Sequence, residues 1–80
     1  MFVLTYTNII AEDANEVDVY TDVELFEHES SALREMADLC EDIEVNNPHL
    51  RPVVENNKRI YINEDGLKEY VITLTETKVK

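Results

Sequence analysis

Eighty residues with 18 acids against 7 bases carry a formal net charge of −11, with 44% hydrophobic residues, one glycine, two prolines and one cysteine. That length predicts one domain, near the lower limit of what a hydrophobic core holds folded without staples or partners. A charge this negative repels nucleic acid and anionic lipid, which disfavours direct nucleic-acid or membrane binding and leaves basic protein surfaces as the natural partners.

Residues 2–10 alternate Phe2, Leu4 and Tyr6 against Val3, Thr5 and Thr7. Period two with β-branched and aromatic residues predicts a strand, with Phe2, Leu4 and Tyr6 on the core face. Residues 11–16 are polar, with Asn15 available for a turn of positive φ, and read as a hairpin connection. Residues 17–26 then alternate Val17, Val19, Thr21, Val23 and Leu25 against Asp18, Tyr20, Asp22, Glu24 and Phe26. The second strand is expected to bury the first set and expose the second.

A helix follows, with Ser30 or Ser31 as its expected N-cap. At about 100° per residue, Leu33, Met36, Ala37, Leu39, Cys40 and Ile43 form one stripe, and Arg34, Glu35, Asp38, Glu41 and Asp42 lie opposite. Glu44 would return to the apolar stripe, so the helix should end near it, with Asn46, Asn47 and Pro48 as the stop. Pro52 restricts residues 49–54 to the beginning of an edge strand, and Asn56 and Asn57 can turn it into a short hairpin with residues 58–62. Asp65 and Gly66 mark the firmest hairpin, leading into a strand over 68–77 with Tyr70, Ile72 and Leu74 on one face. Residues 78–80 read as a lightly basic tail. The expected fold is α+β: a small single domain of order β-β-α-(β)-β-β, with one helix packed on a four- to five-stranded, mainly antiparallel sheet.

No motif for chemistry emerges. His28, Cys40 and His49 lack the close paired spacing of a zinc site, and the acids lack a Gly-centred calcium loop. One glycine cannot build a phosphate loop, Ser30 and Ser31 are better explained as caps, and the acids read as solvated faces rather than a cleft pair. No catalytic, metal or cofactor residue is therefore assigned, and enzymatic activity is not expected. Cys40, on the apolar side of the helix, fits a buried thiol in a reducing interior. Residues 1–10 lack a basic flank or cleavage site, and no run approaches the ~20 apolar residues of a membrane span. A cytoplasmic location follows as the expectation, the host cytoplasm if the protein is viral.

The charge is unevenly distributed: residues 11–45 hold thirteen acids and a single base, Arg34. Asp18, Asp22 and Glu24 share a strand face at about 6.6 Å spacing, and Glu35, Asp38, Glu41 and Asp42 form a second row on the helix. Two such rows match the charge spacing of a nucleic-acid strand. Acids at a helix C-terminus also oppose the dipole by about 0.3–1 kcal/mol each, so a requirement other than stability is expected to hold them there. Tyr20 and Phe26, amid the acids, are candidate interface anchors.

The candidate protein-binding set is accordingly Asp18, Tyr20, Asp22, Glu24, Phe26, Glu35, Asp38, Glu41 and Asp42. Its expected partner is the basic surface of a nuclease or other nucleic-acid-binding protein. In size, acidity and mixed α+β character the chain resembles small antagonists that phages make against host defence, such as anti-CRISPR and other DNA-mimic proteins. That resemblance is one of kind and transfers no residue. It implies a non-enzymatic inhibitor of phage or mobile-element type. The alternative is a homo-oligomeric structural module, a homodimer through Tyr20 and Phe26 or through the final strand, with acidity serving only solubility.

Overall fold

In the computed structural model, which describes residues 1–11 and 17–77, five strands and one helix follow the order β1 (Phe2–Ala11), β2 (Val17–Phe26), α1 (Glu29–Asn46), β3 (Arg51–Glu55), β4 (Lys58–Ile62) and β5 (Lys68–Glu76). The expected connection at 11–16, apart from Ala11 at the end of β1, and the tail at 78–80 lie outside the described residues. All strand pairs are antiparallel, and the sheet order is β2-β1-β5-β4-β3. The chain is thus a small α+β domain, and the optional third strand is present. Pro52 sits where a missing N–H is tolerated, on an edge. The final strand is central and hydrogen-bonded on both sides, so it cannot pair with a second copy. The free edges are β2 and β3.

The turns follow their residues. Gly66 takes φ +81°, the left-handed conformation that closes the 63–67 loop. The Asn63 side chain organises the same loop, its Oδ1 accepting from Asp65 N at 2.9 Å and Leu67 N at 3.0 Å. At Asn56–Asn57 the turn is held by Arg59, whose Nη1 donates to the carbonyls of Glu55 at 2.7 Å, Lys58 at 3.0 Å and Asn56 at 3.3 Å.

The core lies on one face of the sheet, beneath α1. It gathers Leu4, Ala32, Met36, Ile43, Leu50, Tyr61, Ile72 and Leu74, with Phe2, Tyr6, Phe26, Leu39, Cys40 and Tyr70 packed around them. The expected inward faces of β1 and β5 are therefore observed. On the helix, Met36 and Ile43 are buried and Leu39 and Cys40 partly so, but Leu33 and Ala37 are exposed and Ala32 is fully buried instead. The reason is lateral: α1 packs over β1, β2 and β5, so the flank bearing Leu33 and Ala37 overhangs sheet that it does not cover.

The helix start differs from expectation, whereas its end falls at the expected asparagines, two residues beyond Glu44. His28 is the N-cap and contributes no side-chain bond, and Ser30 and Ser31 lie within the first turn. The helix runs on to Asn46 because Asn47 satisfies its end, donating from its backbone N at 2.8 Å and from Nδ2 at 3.1 Å to the Ile43 carbonyl.

The larger correction concerns β2. Phe26, Glu24, Asp22, Tyr20 and Asp18 stand opposite Phe2, Leu4, Tyr6, Asn8 and Ile10 of β1. Because Leu4 and Tyr6 face the core, the even set of β2 lies on the helix side and the odd set on the opposite face. Val17, Val19, Thr21, Val23 and Leu25, expected to be buried, are exposed. Phe26, expected to be exposed, is partly buried against the core.

Candidate functional site

The edge position of β2 beside α1 creates a groove. Along its strand wall Tyr20, Asp22 and Glu24 succeed one another at same-face positions about 6.6 Å apart. The helix wall is Glu35 and Leu39, one turn apart. Together with Leu4 and Tyr6 as floor, these seven residues line a concavity of about 160 Å³ that contains three carboxylates and no base. Tyr20 is 60% exposed at its mouth.

The floor is apolar and rigid. Tyr6 packs near Tyr70 with ring centroids 6.0 Å apart at 47°. Burial, and then the neighbouring phenols of Tyr70 and Tyr20, raise the Tyr6 pKa above its ordinary value. Its hydroxyl therefore remains neutral, and the acids are the sole source of negative charge in the lining. Asp22 Oδ1 also accepts from the Val23 backbone N at 3.1 Å, which orients this carboxylate.

The remaining candidates are distributed around the groove. Asp18 lies on the same face of β2, beyond the concavity. By helical geometry Asp42 shares the flank of Glu35, and Asp38 lies on the outward ridge. Glu41 is outward beside Asp38, while Glu44 turns to the other flank, where its charge acts on Tyr61 of β4. Thus Asp22, Glu24, Glu35 and Tyr20 are brought together, Asp18, Asp38, Glu41 and Asp42 extend the negative surface outside the groove, and Phe26 belongs to the core. Leu4, Tyr6 and Leu39 were expected only in the core. They also floor the groove, because the core reaches the surface where the helix ends and the edge strand begins.

The chemistry available is recognition of a cation. At about 160 Å³ the concavity falls below the ~300–1,000 Å³ of small-molecule sites and suits one side chain. A larger hollow of about 330 Å³, between Asn8–Ile10 and residues 63–70, mixes Asp65 and Glu69 with Lys68 and converges on no single charge. Among the described residues, no group of three or more His, Cys, Asp or Glu is arranged to hold a metal ion, and no helix is long and apolar enough to cross a membrane. Compared with known proteins, the chain matches no family model, no curated sequence and no solved structure.

Proposed function

We propose that this chain is a non-enzymatic binding protein that covers a basic, nucleic-acid-binding protein surface, as an inhibitor of phage or mobile-element type acting in the host cytoplasm. The observation that carries the reading is the convergence of Asp22, Glu24 and Glu35 around one concavity without a base. An arginine or lysine of the partner enters there. Its cation meets carboxylates on both walls, in charge-assisted hydrogen bonds, and lies against Tyr20. Asp18, Asp38 and Asp42 flank that anchor and supply long-range attraction. The two acidic rows then occupy sites at which a nuclease or similar protein would hold phosphates.

Affinity capture from a host lysate, with wild type beside a variant carrying Asp22→Lys and Glu35→Lys, tests this directly. The expected result is a basic protein captured by wild type alone, released by competing DNA, with at least about tenfold weaker binding by the variant. Attraction between exposed charges is screened, so binding should weaken with added salt. A partner that binds both proteins equally, or whose capture is indifferent to salt, would refute the proposal.

A further inference from the structure

The face of the sheet opposite the helix is uncovered, and its composition is unusual for a chain of charge −11. Across β2 and β1, and over residues 71–75 of β5, it presents Val17, Val19, Thr21, Val23, Leu25, Val3, Thr5, Thr7, Ile9, Val71, Thr73 and Thr75 without one charged side chain. One row runs through Thr21, Thr7, Val71, Ile60 and Val53 across all five strands, with Ile60 already buried by its neighbours. Solvated faces of antiparallel sheets ordinarily carry charged residues, and a face on which seven of these twelve residues are apolar and the other five are threonines has the character of an interface. Val17, Val19, Val23 and Leu25 are 55–61% exposed.

We infer that this face is the interface of a homodimer, in which two copies stack sheet on sheet with their helices outward. Three observations select a second copy as the occupant. Arg51, Glu55 and Lys58, with Lys68 and Glu69 at the adjoining start of β5, hold the charge of this face and include both signs, so the surface does not repel itself. A two-fold axis between the sheets and perpendicular to the strands lays each strand over its own copy, so that the valines of β2 meet one another and not the charged β3. At strand spacings of about 4.8 Å and rises of about 3.3 Å, the face spans roughly 500–600 Å² per copy, which clears the ~1,000 Å² total of a specific interface. The acids of β2 and α1 remain on the outer surfaces, separated by two sheet layers about 10 Å apart, beyond most of their screened repulsion. Edge pairing through β2 is not an equivalent route. An antiparallel β2 pair would bring Asp18, Asp22 and Glu24 of the two copies beside one another.

The inference is independent of the acidic groove, and salt separates the two. Dimerisation buries neutral surface and should strengthen as salt screens the residual net charge, whereas the proposed partner binding should weaken. Analytical ultracentrifugation of the full chain at tens of micromolar should give twice the 9.3 kDa monomer mass. Val19→Lys with Val23→Lys should halve that mass with an unchanged circular dichroism spectrum, because both positions are already exposed within one copy. Tyr20→Ser, on the opposite face, should remain dimeric. If the lysine pair fails to fold, Val19→Thr with Val23→Thr, which suits a strand, should raise the dimer dissociation constant by about tenfold or more. A monomeric wild type overturns the inference. So does a dimer that ignores the folded Val19 and Val23 variants, or one that Tyr20→Ser dissociates.

Discussion

Tyr61 is only 2% exposed, and its hydroxyl is influenced by Cys40 and Glu44 of the helix. Burial first, then the neighbouring Cys40 and the charge of Glu44, raise its pKa well above the ordinary tyrosine value, with Arg59 opposing them. The folded state therefore retains a proton that the unfolded chain loses near pH 10. Its contribution to stability is complete below that pH and falls as the pH rises through and beyond it. Urea denaturation between about pH 9 and 11 should show this loss, and Tyr61→Phe should flatten it. At neutral pH the same substitution should cost no more than about 1 kcal/mol, because the ring remains and only the hydroxyl is removed. Cys40 was legible from the helical stripe, but Tyr61 beside it was not: Lys58–Ile62 has apolar residues on both faces, so alternation could not place Tyr61 on the helix side and Ile60, also buried, on the other.

At α1 the N-terminus lacks a side-chain cap because His28 precedes Glu29 where an aspartate or serine would serve better. His28→Asp should stabilise the protein by about 1 kcal/mol, read as a higher urea midpoint at an unchanged slope. Acids at the other end remain uncompensated, with no base in the last turn. The strand β2 shows the limit of periodicity more sharply. Alternation over Val17–Phe26 correctly separates two sets of side chains, yet a strand pattern has no sign: either set can face the core. Apolar positions read as inward because burial usually decides. Here the register of β1 decides instead, since Leu4 and Tyr6 must face the helix and carry Glu24 and Asp22 with them. The acids remain hydrated because β2 is an edge.

The molecule has two chemically opposite surfaces on a sheet one layer thick. Among the described residues only nine hydrophobic side chains are buried, eight of them in the core beneath the helix, a small number for holding 80 residues folded. Covering the second face would supply a further apolar layer, so stability should depend on assembly. Thermal denaturation over a hundredfold range of protein concentration should show a midpoint that rises with concentration for wild type. The Val19→Lys and Val23→Lys variant should show a lower midpoint independent of concentration. A wild-type midpoint that stays constant would mean that each copy is stable without its neighbour.

By itself the sequence determined the kind and order of the elements, the hairpin at Asp65–Gly66, the inward faces of β1 and β5, and the concentration of acids in β2 and α1. Those properties are local: they depend on period, turn conformation and composition, which neighbouring residues along the chain settle among themselves. Only the tertiary structure decided the rest. Sheet order placed β5 at the centre and β2 at an edge, and pairing with β1 set which side of β2 lies beside the helix. That single choice assembles Asp22, Glu24 and Glu35 into one groove while leaving Val19 and Val23 on an uncovered face. Register is a relation between strands distant in sequence, so neither surface could be read from the pattern of either strand alone.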